Sequence, residues 1–429
     1  MKLPLSATAA LLTIAMLMGI GAGRSLAEET PDTGKLGETT SAVGRATGGK
    51  VPRPNPITPP TPEALEKSIA RGVDFLIKRQ NKDGSWGSAR NTKLLNINTP
   101  VPGGHHGLRA AVTSLCVAAL IESGDQRPEA LETLRRAEEW MIEDIPKVRR
   151  GSTGVIYNVW AHAYAIEALI LMHDRLPEDK ARQELMKELI RGQIDRLKRY
   201  SYLIGGWGYY EIQYGMQRPA GRSNSFTTAT CLIALKKAQD MGIEVPEKIV
   251  KPAVREVKRQ RRPDFGYLYS SGFVTRKGHP VNQPGGSLAR SQVCNLAMRM
   301  YGDETVTDQV MIDWLDRLIV RNGWLSIGRK RPVPHESYYK VAGYFYYYGH
   351  YYAAGCIAEL PAEEQPRLKG HLADIIMKLQ DGTGCWWDYP LYDYHQQYGT
   401  GLAIRTLVGC RLNDEAVSDE TAAEETAAE

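Results

Sequence analysis

Gln80-Asn81-Lys82-Asp83-Gly84-Ser85-Trp86-Gly87 ends an amphipathic stretch, and its glycine–aromatic pair returns at Gly206-Trp207, Gly266-Tyr267, Gly323-Trp324 and Gly384-Cys385-Trp386. The intervals between the aromatic residues are 121, 60, 57 and 62 residues. The first is a double interval whose midpoint falls near a glycine turn, Gly151 to Gly154, so six units of about sixty residues fit between Thr61 and Leu412. A period of that size marks a repeat architecture, in which each unit buries its apolar face only by stacking on its neighbours.

The unit reads as outer helix, turn, inner helix. In the first, Thr61 is placed to cap a helix, Pro62 takes its first position, and Leu65, Ile69, Val73 and Leu76 share one face. After the turn, Ala110 to Ile121 is apolar on most sides, as an element buried between neighbours must be. Aligning the inner helices on Leu120, Leu169, Leu235, Met298, Leu360 and Leu407 brings Cys116, Ala165, Cys231, Cys294, Cys356 and Ala403 into one column. Cysteine alternating with alanine is what close helix packing requires, so these thiols are expected to be free and structural, with Cys385 and Cys410 left open. The expected fold is all-α: six hairpins, twelve helices, closing into an α/α toroid over residues 61–412, with an open solenoid as the alternative.

The 429 residues carry a formal charge of +5 and are 42% hydrophobic, which excludes a wholly disordered or collagen-like chain. The charge is uneven: residues 412–429 hold seven acids and no base, leaving +10 over residues 28–411. A basic body favours an anionic partner. Nucleic acid is not expected, because no Walker loop, RNP-like segment or zinc finger accompanies the charge. Residues 1–27, with Lys2 ahead of an apolar run and Ser25-Leu26-Ala27 behind it, read as a secretory signal, so the protein is expected to be exported, periplasmic or secreted. Left uncleaved, that signal would serve as a membrane tether. Residues 28–60 are rich in Pro, Gly and Thr and read as a disordered linker, and residues 413–429 as a disordered acidic tail.

The segment Gln80 to Gly87 resembles the QW repeat of squalene and hopene cyclases, and the body from 61 to 412 resembles the squalene-cyclase and prenyltransferase repeat superfamily, which implies a toroid of terpenoid cyclase type. Class II cyclases of that group act through an Asp-x-Asp-Asp-Thr-Ala acid. The nearest segment here is Asn224-Ser225-Phe226-Thr227-Thr228-Ala229, in which Phe226 takes the place of the proton donor. The zinc-binding Asp-x-Cys pair of protein prenyltransferases is missing as well, so neither a metal nor a cofactor is expected.

Two further columns, four residues apart on the inner helices, are polar: Arg109, Asn158, Asn224, Ser287, Gly349 and Gln396, then Thr113, His162, Thr228, Ser291, Ala353 and Thr400. Residues at that spacing share a helical face. The expectation is that this stripe, with Arg290, Glu336, Asp393, His395 and Tyr398, lines a central cavity taking a small molecule, glycan or lipid; its alternative is internal bonding to the turn backbones. Asp393 also reads as the cap of the last helix. Six tyrosines between Tyr344 and Tyr352 surround His350, and 22 Tyr and 8 Trp against 5 Phe favour a wet, aromatic cleft. The functional reading is a binding or scaffolding module for a polar or anionic ligand, with a polysaccharide lyase or glycoside hydrolase as alternative and a terpenoid-active enzyme with an unfamiliar proton donor as the third.

Overall fold

The computed structural model describes residues 41–47, 49–93, 101–211 and 219–412. The signal, the linker up to residue 40 and the acidic tail lie outside them. A short helix, α1 (Ala42–Thr47), precedes six hairpins. The outer helices are α2 (Pro62–Arg79), α4 (Pro128–Asp144), α6 (Lys180–Tyr200), α8 (Glu247–Gln260), α10 (Asp308–Val320) and α13 (Gln365–Met377). Their inner partners are α3 (Pro102–Ser123), α5 (Asn158–Asp174), α7 (Ser225–Asp240), α9 (Leu288–Met300), α12 (Tyr346–Ala358) and α14 (His395–Gly409), with a small extra helix α11 (Asn322–Ser326). Each inner helix packs on the next and α14 packs back on α3, so the ring is closed. The fold is an α/α toroid, and the only β-type pairs among the described residues are isolated bridges.

Side-chain chemistry at the turns explains why the motif recurs. Trp86, Trp207 and Trp386 are wholly buried, and burying such a ring is worth roughly 4–6 kcal/mol. Their indole N–H groups donate to Leu76, Leu197 and Ile376 carbonyls at 2.9, 2.8 and 2.8 Å, each ten residues back in the outer helix. Gln80 Nε2 donates to Gly84 O and, at 2.7 Å, to Thr133 O of α4. Gln380 Nε2 repeats this with Gly384 O and Ser68 O of α2, so one motif also seals the seam between the last and first units. Gly84 (φ 91°) and Gly384 (φ 89°) are left-handed and lie so near Arg136 and Arg71 carbonyls that a Cβ would sit 2.4 Å away; only glycine meets both demands.

Two turns depart from the pattern. At Gly266-Tyr267 the indole position is taken by Trp314 from α10, which donates to Asp264 O at 2.7 Å and covers Gly266. Gly323-Trp324, expected as a turn of the same type, lies in α11, where Trp324 is half-buried against Tyr339. Elsewhere a Thr hydroxyl on the following inner helix receives the Trp backbone N–H, whereas Ala353 stands in that column in the fifth unit and offers none.

The cysteine column is buried throughout, and all six cysteines are free thiols. Cys116 and Cys356 direct their sulfurs at backbone carbonyls of the adjacent inner helices, Gln397 O and Gln292 O. Part of the expected linker is corrected: residues 49–60 lie on the toroid. Arg53 pairs with Asp316 and Asp313, two fully buried carboxylates of α10, and Pro59 packs over Gly370. Those acids need a cation, because a buried charge without a partner is strongly unfavourable.

Candidate ligand-binding hollow

At the end of the ring where the turns feed the inner helices, aromatic side chains converge from five units. Trp160 of α5 stacks with Phe226 of α7 (6.1 Å) and meets Tyr348 of the opposite helix α12 edge-on (6.1 Å). Phe226 meets Phe345 at 4.9 Å and Tyr269 at 5.1 Å. Around this floor stand Tyr157, Tyr209, Tyr210, Tyr269 and Tyr344. The Tyr157 hydroxyl bonds to that of Tyr210, and the Tyr209 hydroxyl to that of Tyr269. Burial, ahead of the neighbouring phenols, holds Tyr157, Tyr209 and Tyr344 far above the usual tyrosine range, so the cluster is neutral. Tyr157, Trp160, Tyr210, Tyr269, Tyr344 and Tyr398 keep part of their surface open. The cluster is therefore partly open to solvent and built of rings with polar tips.

Towards the other end the ring is plugged. Glu167 of α5 accepts from Lys237 of α7 (2.6 Å), Tyr351 of α12 (3.0 Å) and Arg405 of α14 (3.3 Å), and Arg405 also holds Glu122 of α3 at 2.8 Å. Burial alone would raise the Glu167 carboxyl, but Lys237 and Arg405 outweigh it and bring it to about 2. Five inner helices thus meet at one ion cluster.

Asp388 follows the sixth turn, next to Tyr389, whose ring meets Tyr344 of the cluster. It is fully buried, accepts from Tyr347 N at 3.3 Å, and its second oxygen has no hydrogen-bond partner. Burial pushes its carboxyl up to about 7, against the opposing pull of the Tyr347 and Tyr389 backbone N–H groups and Arg329. Nearby, Lys93 lies over the Tyr389 ring (3.9 Å) and donates to Pro332 O, and burial lowers its ammonium to about 8. Lys330 covers Trp387 at 4.2 Å.

The polar stripe does not face the hollow. Thr113, Thr228 and Thr400 receive the backbone N–H of Trp86, Trp207 and Trp386 at 3.0–3.1 Å. His162 bonds to Gln193 of α6 at 2.7 Å and to Asn158 at 3.3 Å, and burial lowers it to about 4. Asn224 donates to Tyr269 O at 3.3 Å, Arg109 pairs with Asp83 at 3.4 Å, and Gln396 accepts from Arg79 at 3.1 Å. All of these bonds but His162–Asn158, which stays within α5, run to a turn or an outer helix, as the internal-bonding alternative expects and the cavity role of these residues does not.

The other candidates divide. Tyr398 joins the wall, its hydroxyl donating to Tyr344 O at 3.0 Å. Arg290 lies 5.8 Å from the Tyr269 ring centre but is buried and spends its donors on Tyr267, Gly286 and Val281 carbonyls. Glu336 is exposed, 3.8 Å from Arg331. His395 bonds to Tyr392 O at 2.7 Å. Asp393 caps nothing: it accepts from Ser88 Oγ at 3.0 Å across the first and last turns.

Sequence reading sought the polar stripe on the inner helices and possible acid/base groups, Asp388 among them, after the turns, but missed the aromatic column that stands there. Two residues after the turn aromatic stand Ser88, Tyr209, Tyr269 and Asp388; one further on stand Tyr210 and Tyr389. Carrying the repeat register through the turn instead of restarting it at the inner helix would have found them.

No family model matches the chain. A squalene–hopene cyclase from Zymomonas mobilis is 24% identical over 198 residues, 43% of this chain and 28% of that protein. A terpene cyclase–glycosyl transferase fusion protein from Humicola fuscoatra is 27% identical over 159 residues, 33% of this chain and 11% of that protein. The chain thus matches less than a third of the length of either. Among solved structures, an inactive α-1,6-mannanase from Salegentibacter in complex with α-1,6-mannotetrose superposes with TM-score 0.51 at 9% identity, covering 80% of this chain and 99% of that one. The type II terpene cyclase MstE from Scytonema gives 0.43 at 13% identity, covering 81% and 98%. The repeated turn and the closed ring give the chain an α/α toroid fold, and over part of its length its sequence is similar to a squalene–hopene cyclase and a terpene cyclase fusion protein.

Proposed function

We propose that this chain is an exported binding or scaffolding module whose toroid takes a polar ligand in the phenol-lined hollow. The observation that carries this reading is the convergence of Tyr157, Tyr210, Tyr269 and Tyr344, partly open and with their rings around the buried Tyr209, beside Trp160 and Tyr398. Such rings offer flat apolar faces and polar tips to one ligand, as binding hollows do. Export rests on the signal-like residues 1–27. The absence of the cyclase acid at Phe226 and of the transferase zinc pair argues against both family chemistries.

Asp388 favours a second reading, a glycan-active enzyme. A carboxyl buried beside an aromatic wall and held protonated near neutrality has the properties of a general acid. The two readings separate on Tyr269→Ala, Trp160→Ala and Asp388→Asn. Under the binding reading, ligand-induced thermal stabilisation is lost in the first two and kept in the third, and no product accumulates. Turnover of a bound glycan by the wild type that disappears with Asp388→Asn would replace the module by an enzyme.

A further inference from the structure

Charge is distributed unevenly between the two ends of the ring. The described segments that lead from the turns into the inner helices are 87–93, 148–157, 208–211, 219–224, 268–287, 325–345 and 387–394. They hold eleven Lys and Arg against four Asp and Glu. Of those four acids, Glu211 and Asp388 are buried, leaving Glu336 and Asp393 to face a large excess of cations. The connections that leave the inner helices, 124–127, 175–179, 241–246, 301–307, 359–364 and 410–412, hold three Lys and Arg against nine Asp and Glu. The field of the ring therefore points anions at the end that carries the aromatic hollow.

The cations also sit where a ligand in the hollow would meet them. Lys93 and Lys330 cover Tyr389 and Trp387, Tyr389 meets Tyr344 edge-on at 5.6 Å, and Tyr344 belongs to the phenol cluster. His335 meets Tyr269 from the same loop as Lys330 and Arg331, at 5.9 Å. Positive charge and stacking surface are thus continuous.

Resting on the binding reading above, we infer that the ligand class is an acidic saccharide, stacked on the phenol-lined rings and held through its carboxylates or sulfates by the basic loops. A hydrocarbon chain with an anionic head shares the charge requirement but makes no hydrogen bond to the paired phenol hydroxyls, whose remaining lone pairs can accept from a polar ligand. Sugar hydroxyls can bond to them, and the faces of sugar rings suit the half-open tyrosines.

The test is a binding panel on the full chain: acidic oligosaccharides, each with its neutral counterpart (oligogalacturonate beside its methyl ester, sulfated beside desulfated galactan), and vesicles carrying a polyprenyl phosphate. An acidic member should bind at least tenfold tighter than its counterpart and weaken as salt rises. The double variant Lys330→Glu/Arg331→Glu, at two exposed positions, should cost that member about tenfold and leave a neutral glycan unchanged. Equal binding of a neutral counterpart overturns the acidic class while the hollow survives in a Trp160→Ala control. Preference for the polyprenyl phosphate, or silence across the whole panel, overturns the saccharide class and the polar-hollow reading together.

Discussion

Replacing Asp388 by Asn changes one charge at a site with no solvent exposure, and its effect should depend on pH in a way that steric change cannot imitate. The carboxyl goes from an ordinary 3.8 in the unfolded chain to about 7 in the fold, chiefly through burial. The folded state therefore holds the proton more tightly than the unfolded state does. Below pH 4 both states are protonated and the group contributes nothing. Between pH 4 and 7 the unfolded chain ionises while the folded one cannot, and wild-type stability falls steadily. Above 7 the penalty levels off at about 4 kcal/mol, three units at about 1.4 kcal/mol each. Asn carries no such charge but keeps an oxygen for Tyr347 N. Urea unfolding of both proteins, followed by tryptophan fluorescence from pH 4 to 8, should show the variant gaining on the wild type by about that amount and then running parallel to it. A difference that stays flat, or that favours the wild type as pH rises, would mean an ionised Asp388 paired with Arg329 and would refute a proton-bearing acid in the wall.

Glu167→Gln should cost about 3–5 kcal/mol, because Arg405 and Lys237 lose their shared anion at the plug. Its sign with pH is opposite to that of Asp388: a carboxyl lowered to about 2 stabilises the fold above its ordinary value of 4.5, so wild-type stability from this group drains between pH 4.5 and 2 and the variant lacks that dependence. Thr400→Val leaves the buried Trp386 N–H without its acceptor and should cost about 1–3 kcal/mol in the same unfolding assay. All six thiols are buried, so a colourless thiol reagent that reports on reaction should find them only after denaturation, with fast reaction of the native protein counting against the packing column. Arg53→Ala should expose residues 49–60 to limited proteolysis without loss of the ring, as judged by circular dichroism.

The ring was legible because its causes are local and repeated. A glycine at positive φ and a tryptophan reaching back ten residues mark the first, third and sixth units, and a small residue in the tightest helix contact marks all six. The polar stripe was legible as a stripe but not in direction, since a face four residues wide says nothing about whether Thr400 looks at the axis or at Trp386. What decided it was the unfilled backbone N–H at each turn, a demand the sequence does not display. Residues 49–60 have the composition of a solvated linker, and what holds them is Arg53 against two acids 260 residues later. The hollow itself is assembled from single positions in five units, so no contiguous motif announces it.

Hydroxyl-radical footprinting of the free protein measures solvent access ring by ring. Tyr157, Trp160, Tyr210, Tyr269, Tyr344 and Tyr398 should be oxidised, while Trp86, Trp207 and Trp386, packed between hairpins, stay intact. If the six rings prove as inert as those tryptophans, there is no open aromatic hollow for a ligand to enter.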